Sequence, residues 1–258
     1  MRSLIHGGHQ QMDRLILCQS GLQLVQRVMT RRLLAGVAFF GLMTGAAFAA
    51  PRPVVVELFT SQGCSDCPPA DALLRQVKAT DPDILVLDLH VTYWDYGAWK
   101  DPFSLQAATD LQNQYASLRG GTEVYTPQAV VEGKAQFVGS DKAAMAAAIS
   151  GARAAIARSD TTPVSVEAVN GQVRVHVGPG KGAATVWLFG FDPKRTTMVR
   201  GGENGGVTLT EVNVVRSITM LGAWDGQPLE REIRIPAGMR FAALVQRSDG
   251  TILGAAED

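Results

Sequence analysis

Cys64 and Cys67, spaced Cys-x-x-Cys within ELFTSQGCSDCPPADALL, are the residues of this chain best suited to chemistry. Two thiols at that spacing can cycle between dithiol and disulfide, or bind a soft ion such as Cu(I) as thiolates. The thiolate is the attacking species, and a free thiol with a pKa of about 8.5 is mostly protonated at neutral pH. A disulfide that acts only as a staple gains more by closing a longer loop, so the two-residue gap points to redox or metal chemistry. A metal set would consist of Cys64, Cys67 and His90. A third reading is a non-catalytic binding module in which the disulfide is structural.

The pair needs elements to hold it. Val54 to Phe59 is a near-continuous apolar, β-branched run of the kind found in a strand buried on both faces. Pro69 to Lys78 places Ala70, Leu73, Leu74 and Val77 on one helical face. The cysteines therefore follow a strand and open a helix. Unpaired N–H groups and the helix dipole would favour a thiolate on Cys64, making it the exposed nucleophile and Cys67 the more buried resolving thiol. Pro68 and Pro69 suit a first helical turn, where a missing N–H costs little. The charge of Asp66 opposes the thiolate unless its side chain caps the helix.

Further along, strands are expected at 84–91, 129–131 and near Phe137, with helices at 104–118 and 142–157. This alternation reads as an α/β domain over residues 53–158. Glu57 is a carboxylate inside the first apolar run, so it must be paired, neutralised or functional. The segment LHVTYWDYGAWKDPF sets His90, Tyr93, Trp94, Asp95, Tyr96, Trp99 and Lys100 at a strand end, either as a packed loop or as an aromatic wall for a partner.

From residue 163 the texture is all-β. Asn170-Gly171 marks a two-residue hairpin turn. In that register Ala168 meets Val173, Val166 meets Val175 and Val164 meets Val177, giving one apolar face; Glu167 opposes Arg174 and Ser165 opposes His176 on the other. Strands are expected at 184–191, 207–219, 229–235, 240–247 and 251–255. They would form a smaller, sandwich-like all-β domain over 163–256.

The N-terminus reads as a targeting segment. Arg31 and Arg32 precede an apolar run from Leu33 to Phe48 that ends in small residues, so residues 29–49 are expected to be a signal peptide cleaved after Ala49. Met29 then reads as the natural start and residues 1–28 as a mis-assigned extension. The protein would be periplasmic or secreted, where disulfides persist, touching the membrane only transiently through its signal peptide. The full chain carries 24 basic and 24 acidic residues with no clusters of one sign, which argues against nucleic-acid partners.

ELFTSQGCSDCPPADALL, HVTYWDYGAWKDPF, VYTPQAVVEG and GGENGGVTLTEVNVVRSITMLGAWDG together resemble an exported bacterial thioredoxin-like family catalogued as domain of unknown function family twelve twenty-three. The resemblance covers nearly all of residues 53–255. It implies a thioredoxin-like α/β domain in which a cis proline, here Pro127 after Thr126, lies against the cysteine pair. It also implies that Glu57 corresponds to the buried acid that exchanges protons with the resolving cysteine in thioredoxins, although Glu stands for Asp and the loop to Cys64 is one residue longer. The family brings no established substrate. The expected activity is thiol–disulfide exchange with exported protein thiols or disulfides, or with a redox partner protein, and without a cofactor. The Gly201 to Gly206 run leads into a strand with no Lys-Ser/Thr after it, so it reads as a hairpin loop and not a phosphate loop.

Overall fold

The computed structural model describes residues 52–234 and 238–258, which belong to one compact unit. The expected extension and signal peptide lie outside the described residues. Among the described residues are eleven strands and three helices: β1 (Val54–Thr60), α1 (Pro68–Thr80), β2 (Ile84–His90), α2 (Gln106–Leu118), β3 (Gln128–Val131), β4 (Ala135–Val138), α3 (Lys142–Ile156), β5 (Val164–Val169), β6 (Gln172–Val177), β7 (Ala184–Met198), β8 (Thr208–Trp224), β9 (Leu229–Arg234), β10 (Arg240–Gln246) and β11 (Ile252–Glu257). A 3₁₀ turn at Thr92–Trp94 follows β2. Among the described residues no helix is long and apolar enough to cross a membrane.

Eight strands form one mixed sheet in the order β11-β10-β7-β8-β2-β1-β3-β4. β1 and β2 run parallel, β3 is antiparallel to β1, and β4 is antiparallel to β3. β1 is buried along its whole length because both faces are covered. Val54, Val56 and Leu58 pack on Ala70, Leu73 and Leu74 of α1 and on Met145, Ile149 and Ala152 of α3. Val55 and Phe59 point the other way, toward Ala108, Leu111 and Tyr115 of α2. Asp141 caps α3 by accepting the N–H groups of Ala143 and Ala144, both at 3.0 Å.

The expectation of a separate sandwich-like domain after residue 163 is corrected by this topology. Only β5, β6 and β9 form a sheet of their own; β7, β8, β10 and β11 continue the central sheet. The physical reason lies in β7 and β10, whose alternating residues are apolar on both faces. Val186, Leu188, Ala243 and Val245 pack against Val166, Val173, Val175 and Val177 of the small sheet. Phe189, Phe191, Ala242 and Leu244 join the cluster under α2. Such strands need cover on two sides, which the small sheet supplies on one face and the α2 cluster on the other.

The β5–β6 hairpin has the expected register in every pair from Val164↔Val177 to Val169↔Gln172. Its polar face differs in one respect: Arg174 lies near Glu230 at 3.3 Å and Glu232 at 3.6 Å, acids supplied by β9. The seam between β2 and β8 is narrow, with Asp88 opposite Val214. There Asn213 adopts a left-handed backbone, and its side-chain amide donates to the Val86 carbonyl at 2.9 Å in place of a ladder bond.

Candidate functional site

β1 delivers the chain to a short loop, and α1 takes it away with Cys67 as its N-cap residue. The Cys67 carbonyl accepts the Ala70 and Asp71 N–H groups at 2.8 and 3.1 Å, and the Cys67 N–H donates to the Cys64 carbonyl at 3.2 Å. Cys64 thus sits one turn ahead of the helix, as its sequence context implied. The two cysteines are joined in a disulfide with Cα atoms 5.4 Å apart. One expectation fails: Cys64 is not exposed. It keeps 1% of its accessible surface and Cys67 keeps 0%, while Ser65 and Asp66 between them face solvent.

Two sets of contacts flank the loop that carries Cys64. On one side Trp94 lies over Gly63: a Cβ on Gly63 would stand 3.3 Å from the Trp94 carbonyl oxygen. The Trp94 indole then donates to Thr126 Oγ1 at 2.7 Å, so this tryptophan bridges the cysteine loop to the loop before β3. On the other side Asn204, in the β7–β8 connection, donates to the carbonyls of Cys64 and Gln62 at 2.9 and 3.0 Å. The neighbouring Glu203 carboxylate accepts the Ser65 N–H at 3.0 Å.

The Thr126–Pro127 bond is cis. Pro127 is buried and leads directly into β3. Gly139 marks how closely it approaches the helix start: a Cβ there would lie 2.6 Å from Leu58 Cδ1, 3.2 Å from Ala70 Cβ and 3.4 Å from Pro127 Cβ. Pro127 is thereby placed on the α1 face of β1, near a residue three positions after Cys67.

Glu57 is placed elsewhere. Between Val55 and Phe59 it faces α2, away from the cysteine helix, and accepts a hydrogen bond from the Tyr115 hydroxyl at 2.6 Å. Gln246 donates to the same hydroxyl at 2.8 Å. Burial pushes the Glu57 carboxyl up to about 7 despite the Tyr115 bond. The structure therefore sets Pro127 on the face of β1 that packs on α1, the helix that Cys67 opens, and leaves Glu57 on the opposite face.

Beneath α1 lies a cluster in which the sequence singles out His90 but none of its acids. Asp71 of α1, Asp88 and His90 of β2, Asp101, and Glu211 of β8 are all buried. His90 Nδ1 pairs with Asp101 Oδ2 at 2.7 Å; its Nε2 faces Asp88 Oδ1 at 3.8 Å and Glu211 Oε1 at 3.9 Å, beyond hydrogen-bond reach. Thr60 Oγ1 donates to Asp71 Oδ1 at 2.9 Å, and Gln62 Nε2 donates to both Glu211 oxygens at 3.1 and 3.0 Å. His90 Nε2, both Asp88 oxygens and Gln62 Oε1 have no hydrogen-bond partner among the described residues.

Burial opposes an imidazolium on His90, but the Asp101 charge and hydrogen bond outweigh it, so its pKa stands well above the usual value. Burial likewise opposes the Asp101 carboxylate, yet His90 and the N–H groups of Gln62 and Phe103 hold it below the ordinary range. The other acids move upward. Burial raises Asp88, raises Asp71 well above its usual value with the Asp88 charge adding, and pushes Glu211 up to about 7. His90 and Asp101 thus support each other's charge, among carboxyls whose burial disfavours ionisation.

The metal reading on Cys64, Cys67 and His90 is not supported by the geometry. Both sulfurs are spent on the disulfide, and Nδ1 of His90 is taken by Asp101. Among the described residues no group of three or more His, Cys, Asp or Glu side chains is arranged to hold a metal ion. The aromatic segment is packed only in part: Trp94 is tied to Thr126 and Tyr93 donates to Gln112 at 3.1 Å, but Tyr93 and Tyr96, the latter stacked on Trp94, are exposed.

Asp88 was discoverable. It interrupts the apolar run ILVLDLH as Glu57 interrupts VVVELF, and the same reasoning about buried carboxylates applies to it. Asn204 and Glu211 carry no such local signal, because the residues they bond are 140 and 149 positions away.

Comparison with known proteins accords with this architecture. The crystal structure of protein AGR_C_4864 from Agrobacterium tumefaciens matches with a TM-score of 0.70 at 30% identity, covering 81% of this chain and 95% of that one. A second structure, an endonuclease/exonuclease/phosphatase from Beutenbergia cavernae, matches at 22% identity over 38% of this chain and 23% of its own, and with a TM-score of 0.19 carries no argument. No curated protein matches. The family model described as "Protein of unknown function (DUF1223)" matches residues 55–246, and the chain belongs to that family.

Proposed function

We propose that this chain is an exported thiol–disulfide oxidoreductase built on a thioredoxin-like core, with Cys64 and Cys67 as its redox pair. The observation that carries the reading is the Cys64–Cys67 disulfide at the start of α1, the helix that packs on the face of β1 where Pro127 lies. The β4-β3-β1-β2 order, with β3 antiparallel to its neighbours, supports the thioredoxin-like comparison.

In the reduced protein the Cys64 thiolate would attack a partner disulfide, forming a mixed disulfide and releasing one partner thiol. Cys67, losing its proton, would then attack Cys64, closing the internal disulfide and releasing the second thiol. Two electrons pass to the partner, and two protons leave the cysteines. Acid–base support falls to the buried cluster under α1, because Asp71 lies on that helix one turn after Cys67 whereas Glu57 faces α2. Export follows from residues 29–49 read as a signal peptide, and places the partners among exported proteins. Burial of both sulfurs favours a second reading, a structural disulfide.

Equilibration with glutathione decides between them. A redox pair gives a measurable potential, and Cys67→Ser captures mixed disulfides through Cys64 while Cys64→Ser captures none. A disulfide that is reduced only when the protein unfolds, with neither variant capturing a partner, leaves the structural reading.

A further inference from the structure

The loop that carries the disulfide is bonded to chain far from it in sequence. Exchange requires a thiolate to reach a sulfur, and neither sulfur has appreciable exposed surface. Against the cysteine loop lies the 199–207 connection between β7 and β8. This loop is closed on itself: Val199 N–H donates to the Val207 carbonyl at 2.9 Å, Gly206 N–H to the Val199 carbonyl at 2.8 Å, and Val207 N–H to the Asn204 carbonyl at 3.0 Å. It therefore has the internal bonds to move as a unit on the β7–β8 stem.

Three side-chain hydrogen bonds hold it to the cysteine loop. Two come from the Asn204 amide, to the carbonyls of Cys64 and Gln62, and one runs from the Ser65 N–H to the Glu203 carboxylate. Gly201 lets the loop settle against the aromatic segment, since a Cβ there would stand 2.5 Å from the Ala98 carbonyl oxygen. At the foot of the loop a cleft of about 220 Å³ runs between Thr208 to Thr210 and the α1 residues Pro68, Asp71 and Arg75. It reaches the residue next to Cys67 and stops there.

We propose that the 199–207 loop is a gate over the Cys64–Cys67 disulfide, latched by Asn204 and Glu203, which swings aside before an attacking thiol reaches Cys64. The inference rests on the redox reading and adds to it: partner thiols meet the pair only in the open form, with the cleft beside Pro68 extended to the sulfurs. Asn204 and Glu203 act through the loop, so they are positioning residues.

The test is the rate at which dithiothreitol reduces the purified protein in the absence of denaturant, with the global unfolding rate measured in parallel. In this reaction the reagent gives up two electrons and two protons and closes to its cyclic disulfide, while the Cys64–Cys67 bond opens to two thiols. Glu203→Ala is expected to react a few-fold faster and Asn204→Ala about tenfold faster, the ratio expected for losing one and two net hydrogen bonds. Both rates should exceed the global unfolding rate. Glu203 is exposed, so Glu203→Ala tests the gate even if Asn204→Ala fails to fold. Reduction at the wild-type rate in the variants, or reduction no faster than global unfolding, overturns the gate. Failure of the redox reading shows elsewhere: the variants would be reduced faster, yet Cys67→Ser would capture no protein partner.

Discussion

Asp101 Oδ2 lies 2.7 Å from His90 Nδ1 and also accepts the N–H of Gln62 at 2.8 Å, two residues before Cys64. One buried carboxylate therefore holds the imidazolium of the cluster and the loop that carries the disulfide. Asp101→Asn keeps the shape but leaves His90 without its counter-charge. Breaking one side of a buried pair costs about 3–5 kcal/mol, and the isosteric amide should lose somewhat less, about 2–3 kcal/mol in urea unfolding. The His90 pKa should fall at the same time, which NMR titration of the imidazole reads directly. An unchanged His90 titration would show that Asp101 is not its partner in solution.

Stability should peak on the acid side of neutrality. Glu57 and Glu211 are raised from 4.5 to about 7, so each contributes stability that is fully present below pH 4.5 and is lost as pH rises through 7. The raised pKa of His90 has the same sign, its contribution being complete below 6.5 and lost as pH rises through the folded value. The depressed Asp101 works oppositely, losing stability as pH falls below 3.8. A maximum near pH 4–5 is expected in a series of melting temperatures. Glu57→Gln should flatten the decline above it, stabilising the protein at pH 8 by about 3 kcal/mol, since one pKa unit is about 1.4 kcal/mol. A variant that melts in parallel with the parent at every pH would place the titration elsewhere.

Trp94→Phe removes the hydrogen bond to Thr126 and keeps most of the ring. About 1 kcal/mol of stability should be lost. If the loops beside Pro127 and Cys64 work together, dithiothreitol should also reduce this variant faster than the parent. A change in stability with no change in reduction rate would limit Trp94 to packing.

Processing tests the compartment. A chain begun at Met29 should be exported and start near Ala50, as sequencing of the mature N-terminus will show. A protein that stays in the cytoplasm with residues 29–49 attached would remove the basis for exported partners.

The sequence by itself determined the local structure around the cysteines. A β-branched apolar run must be a buried strand, two prolines after a cysteine pair suit a helix start, and Asn-Gly between alternating valines sets a hairpin register. Each depends on neighbours within a few residues. Tertiary structure decided three other things. An apolar run buried on both faces carries no alternation to label its sides, so Glu57 could be recognised as buried but not as facing α2. A period of two identifies β7 and β10 as strands without naming their partners, and only packing on both faces showed that they extend the central sheet. The loop of Cys64 is held by Asn204, 140 residues away, through hydrogen bonds to backbone carbonyls; every residue has such a carbonyl, so no residue type or spacing near the cysteines records the contact.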